Sequence, residues 1–112
     1  IARMDRTQFV VYVARLFSRK GYSVKLTPVI DNYCIDIVVE KHGVAIAVAV
    51  VLATRLLGRD DILCVADGRK HYPVNNAMVI TNLYFDNTAV QFAREQCMSL
   101  VDRNVLASEF MN

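Results

Sequence analysis

Few residues of this chain are placed to do chemistry. Asp36 sits in "CIDIVV", and one turn further on runs "GVAIAVAVVLATR", residues 43–55, with no charge or hydrogen-bonding side chain between Gly43 and Thr54. A lone carboxylate is a poor magnesium ligand set, because Mg²⁺ takes an octahedron of oxygens and is usually anchored by one or two carboxylates plus substrate phosphate. His42 lies in a turn and His71 close to Pro73, and neither stands at metal-ligand spacing from a cysteine, which argues against zinc. Cys34, Cys64 and Cys97 are odd in number and form no CxxC pattern. They read as buried, reduced thiols, and so as a sign of a reducing, cytoplasmic setting. No nucleophile elbow, P-loop or dinucleotide-binding glycine motif occurs. Basic residues remain: Arg55 and Arg59 flank the loop after the apolar run, and Arg69, Lys70 and His71 close a later helix. Such a rim suits phosphate contacts, and it equally suits a solvated surface.

The elements that must carry these residues are punctuated clearly. Asp5 followed by Gln8 is a capping-box variant, and Phe9, Val10, Val13, Ala14 and Phe17 share one face of the helix until Gly21. Residues 22–28, 33–41 and 44–53 have strand length and pattern, with "KHG" as a reversing turn, and predict an antiparallel meander. Asp60 and Asp61 suit the start of a second helix that ends near Lys70 and His71. Gly68 within it suggests close packing. "NAMVITN" predicts a buried strand, Asp86 the cap of a third helix, "MSLVD" a last strand, and Asp102 the cap of a last helix through Phe110. The order is αβββαβαβα, one α/β domain over residues 1–112, with a mixed central sheet of about five strands flanked by helices. In the third strand, Val44, Ile46, Val48 and Val50 make a bulky face and Ala45, Ala47, Ala49 and Val51 a thin one. A thin face on a central strand calls for either a packed helix or a closely approaching ligand.

Length and composition fit that domain. The chain has 112 residues, 54% of them hydrophobic, which suffices for a core of its own. Its net charge of +2 is too small to announce nucleic acid by itself, so any such argument rests on where the charges sit. The apolar run is too short to span a membrane. The first residue is Ile1 rather than Met, which reads as a domain cut from a longer protein.

The succession "RTQFVVYVARLFSRKGYSV", "CIDIVV", "VAIAVAVV", "AMVITNLYFDNTAVQFARE" and "SLVDRNVL" resembles the catalytic domain of Mrr-type restriction endonucleases, of the PD-(D/E)XK nuclease superfamily, over nearly the whole chain. The resemblance implies a restriction-endonuclease-like fold. It also implies a site in which an Asp on the second strand and a Glu or Gln two residues before a Lys on the third hold Mg²⁺ and activate water. It places the Asp at Asp36, the Glu/Gln at Ala49, the Lys at Val51 and a first-helix Glu at Val10. Three of these four vestigial positions are apolar, so the expectation is a nuclease fold without catalysis or cofactor, acting as a module for double-stranded DNA through Arg55, Arg59, Arg69, Lys70 and His71. A second reading is a structural module that self-associates, or packs on other domains of a parent chain, through the apolar former site. In a third, an active endonuclease with Mg²⁺, the ligands have migrated, with Glu40, Lys25 or Arg15 as the nearest replacements.

Overall fold

The computed structural model describes residues 4–28 and 30–111. Helix α1 (Arg6–Arg19) is started by the foreseen capping box: the Gln8 N–H donates to the Asp5 carboxylate at 2.8 Å, and the Asp5 N–H donates to the Gln8 side chain at 2.9 Å. It stops where Gly21 takes φ +91° and the Tyr22 N–H reaches back to the Phe17 carbonyl, a left-handed cap that glycine adopts without strain. Strands β1 (Ser23–Leu26), β2 (Ile37–Lys41) and β3 (Val44–Val51) follow as an antiparallel meander. His42 and Gly43 both take positive φ between Lys41 and Val44, the two-residue turn whose twist suits a hairpin.

Helix α2 (Arg59–Gly68) continues as a 3₁₀ turn, Arg69–His71, and returns the chain to β4 (Asn76–Thr81), parallel to β3. Helix α3 (Asn87–Glu95) leads to β5 (Ser99–Val101), parallel to β4. The chain closes with α4 (Arg103–Val105) and a π-helical turn, Leu106–Phe110. Asp86 and Asp102 accept the Ala89 and Val105 N–H groups as helix caps. Strand order is β1-β2-β3-β4-β5.

The two faces of β3 decide the layering. Val48 and Val50 join Ile37, Val39 and Ile80 under Phe9, Val13, Leu16 and Phe17 of α1 and Leu106 of the last turn. Ala47 and Ala49 join Ala77 and Val79 under Ile62, Val65 and Ala66 of α2 and Ala89, Phe92 and Ala93 of α3. The thin face is thus the seat of two helices, small residues letting both come close to the sheet.

Two expectations are corrected here. The second strand does not run from Tyr33: Asp31, Tyr33 and Cys34 take φ values of 57°, 56° and 68°, which no extended strand allows, and the ladder starts at Ile37. Nor are the cysteines buried and reduced. Cys34 and Cys64 are joined as a disulfide with Cα atoms 6.2 Å apart, and Cys97 is exposed. The inference of a reducing compartment loses its basis with that pairing. The turn before Asp36 is bound to α2 by this bridge, and Gly68 makes room for it: a Cβ there would overlap the Tyr33 carbonyl. The Tyr33 ring also stacks on His71, with centroids 3.7 Å apart, and the Tyr72 hydroxyl donates to the Asn32 carbonyl at 2.8 Å.

Candidate functional site

Asp36 is buried, with 6% of its surface exposed, and both carboxylate oxygens are engaged. Its N–H donates to the Val48 carbonyl at 2.9 Å, while Ile37 is the residue in register with Val48. Two successive residues therefore stand opposite one, as in a β-bulge, which re-aims a side chain. Oδ2 accepts the Val50 N–H at 2.7 Å. Val50 faces this way because the β2 ladder ends at Val48, and without the carboxylate a buried backbone donor would go unpaired. Oδ1 accepts from a terminal nitrogen of Arg6, in the first turn of α1. Burial raises the Asp36 pKa above the ordinary carboxylate range, and the Val50 N–H and then Arg6 oppose it without cancelling it.

Beside this pair lies a cleft of about 160 Å³, lined by Arg6, Thr7, Val10, Val11, Leu26, Thr27, Pro28, Asn32 and Asp36. It brings Val10 and Asp36 together, two of the four positions that the family resemblance singles out. Ala49 and Val51 do not line it. Their side chains point to the α2 and α3 layer, where Ala49 is 1% exposed and Val51 packs against the same cluster. Of the apolar third-strand positions, Ala49 is covered by the chain's own helices and Val51 is half-buried beside them. Glu40 is exposed at the far end of β2, about 13 Å along the strand from Asp36. Lys25 and Arg15 are exposed, on the edge strand and on α1. Among the described residues no three His, Cys, Asp or Glu side chains come together to hold a metal. The donor set does not fit Mg²⁺: the single carboxylate already has a hydrogen-bond donor on each oxygen, one of them a guanidinium.

The basic residues do not form one rim. Arg55 is tied by two hydrogen bonds to Asp61, both 3.0 Å, which raises the Arg55 pKa and lowers that of Asp61. The Arg59 guanidinium lies over the Phe92 ring at 4.4 Å. Arg69, Lys70 and His71 stand at the other end of α2, about 15 Å away. There Lys70 reaches Asp67 at 3.8 Å and His71 carries Tyr33. Arg6 was not singled out in the sequence, since nothing links a residue in the first turn of α1 to a carboxylate 30 positions later.

The restriction endonuclease (Mrr_cat) family model matches residues 1–110. The chain belongs to the Mrr-type restriction endonuclease family. Two solved structures share the fold. One is a protein of unknown function, AF1548, at 20% identity and TM-score 0.73, covering 83% of this chain and 55% of that one. The other is the MspJI restriction endonuclease in complex with a 27-mer oligonucleotide, at 14% identity and TM-score 0.64, covering 88% of this chain and 26% of that one. The chain thus spans about half of the first and a quarter of the second. A search of curated protein sequences gives no significant match. At these identities the structures speak for the fold, and in this Mrr-type domain the site must be read from its own residues.

Proposed function

We propose that this Mrr-type domain binds DNA without cutting it. The observation that carries the reading is the state of Asp36: its carboxylate is spent on Arg6 and the Val50 N–H, while the three other family positions are Val10, Ala49 and Val51. Among the described residues no Lys lines the cleft and no second carboxylate joins Asp36, the two groups that metal-assisted phosphodiester hydrolysis would draw on here. Binding is favoured over a purely structural role because the exposed Arg6 and Thr7 border the cleft beside Asp36, and because the MspJI neighbour was solved with an oligonucleotide. Arg59, Arg69 and Lys70 supply further cations at the two ends of α2, and Arg55, held by Asp61, contributes less.

The test is a fluorescence-anisotropy titration of a labelled duplex between about 50 and 200 mM salt, alongside a cleavage assay with Mg²⁺ or Mn²⁺. The expected result is an affinity that falls steeply with salt and no cutting of duplex or single strands. Metal-dependent cutting abolished by Asp36→Ala would overturn the loss of catalysis. Absence of duplex binding at the lowest salt would overturn the binding role.

A further inference from the structure

We infer that the Arg6 guanidinium stands in for the metal ion, joining the buried Asp36 carboxylate to a backbone phosphate of bound DNA. A nuclease metal ion is a cation with one side on a carboxylate and the other on the phosphate. Arg6 has that disposition. One terminal nitrogen donates to Asp36, yet the side chain is 60% exposed and makes no other hydrogen bond among the described residues. A guanidinium offers five N–H donors in a plane and stays charged throughout the working pH range, so one contact to Asp36 leaves a fork for a phosphate.

Both ends of the pair are fixed. The Asp5–Gln8 capping box sets the start of α1 one residue before Arg6, and the Val50 N–H holds the far oxygen of Asp36. The exposed side of Arg6 borders the cleft beside Thr7, Thr27 and Asn32, with apolar Val10, Val11 and Leu26 also lining it. Thr7 can add a hydroxyl donor to a phosphate. The Thr27 hydroxyl is already turned to the Ile35 and Asp36 carbonyls, which leaves it a wall of the cleft rather than a contact. Asp36 partly offsets the charge of Arg6, so the gain is that of one oriented phosphate contact and not of a metal.

This inference rests on the DNA-binding reading, and its test separates the two. Duplex affinity and its salt slope are compared for the wild type, Arg6→Gln, Arg6→Lys and Arg19→Gln, the last removing the same charge about 20 Å along the same helix. Arg6→Gln should weaken binding about three- to tenfold and lower the magnitude of the slope by about 0.9, the share of one phosphate. Arg6→Lys should recover part of both, and Arg19→Gln should change neither by as much. Equal effects of Arg6→Gln and Arg19→Gln would overturn the inference and leave the binding role standing. A wild type that does not bind duplex would overturn both. A second readout needs no DNA: the Val50 amide resonance, one hydrogen bond from Asp36, is followed while Mn²⁺ alone is added. It should stay sharp in the wild type. Selective broadening at sub-millimolar Mn²⁺ would show that a metal takes the carboxylate from Arg6, and the substitution would be refuted.

Discussion

Replacing Asp36 by Asn and by Ala separates its charge from its hydrogen bond. The Val50 N–H is buried and has the carboxylate as its acceptor. Asp36→Ala leaves that donor unpaired at about 1–3 kcal/mol and removes an ion pair whose Arg partner is largely exposed, worth at most about 1 kcal/mol. Relief of the buried charge offsets part of this, so a net loss of about 1–2 kcal/mol is expected. Asn keeps a carbonyl oxygen for Val50 and removes the charge, so Asp36→Asn should stay within about 1 kcal/mol of the wild type. Urea unfolding at neutral pH measures both. The pH dependence checks the electrostatic half. Because burial outweighs the favourable partners, the folded-state pKa is raised, so the folded chain holds this proton more tightly than the unfolded one. Stability from this group is then greatest below the unfolded-chain pKa of about 3.9 and is lost as pH rises through the higher folded value. The difference between wild type and Asp36→Asn should therefore move in favour of the wild type on acidification, other carboxylates cancelling in the comparison. An Asn variant as unstable as the Ala variant, or a difference that grows with rising pH, would refute the reasoning.

Gly68→Ala sets a methyl group against the Tyr33 carbonyl and should cost about 1–3 kcal/mol despite the better helix propensity of alanine, as read by thermal unfolding. Opening the Cys34–Cys64 bridge, which spans 30 residues, should lower stability by about 3–4 kcal/mol in the chain-entropy model, compared in urea with and without a phosphine reductant. Joint restoration of the family pattern by Val10→Glu, Ala49→Gln and Val51→Lys should unfold or strongly destabilise the domain rather than revive it. Ala49 is 1% exposed beneath α2 and α3, and a Lys at 51 must be taken from water. Circular dichroism shows the loss, whereas a folded variant that binds Mn²⁺ in calorimetry would show that the old geometry survives.

Most of the architecture was legible because local signals agreed with the global pattern. Asp5, Asp86 and Asp102 cap the helices they were expected to cap, and the parity of β3 sorts its residues into the two layers. Composition and parity alone left the alanine face open between a packed helix and a ligand, and only the three-dimensional arrangement supplies α2 and α3 as its cover. What the sequence hid is non-local. The Cys34–Cys64 bridge depends on a turn with three positive-φ residues, none of them glycine, so no local rule marks it. The Arg6 pair joins a helix start to a strand end 30 residues away. Arg55 and Arg59 stand apart from Arg69, Lys70 and His71, since α2 holds the two sets at its opposite ends.

The presence of Asp36 beside apolar Val10, Ala49 and Val51 follows from the same geometry. Residues 49 and 51 point to the α2 and α3 face of the sheet, where an apolar side chain is the stable occupant. Val50 alternates with them, and its N–H points toward β2 at the place where the β2 ladder has ended and a bulge begins. That donor needs an acceptor whether or not a metal is bound. A carboxylate at position 36 supplies one, at a desolvation cost that Arg6 and Val50 reduce without abolishing. An acidic residue at this position is therefore no sign of catalysis by itself, because the strand end needs an acceptor on its own account. By the same argument the charge is dispensable for folding and the acceptor is not, so a carboxylate here instead of an amide is useful only if its charge holds something in place. The group it holds is Arg6, at the mouth of the cleft.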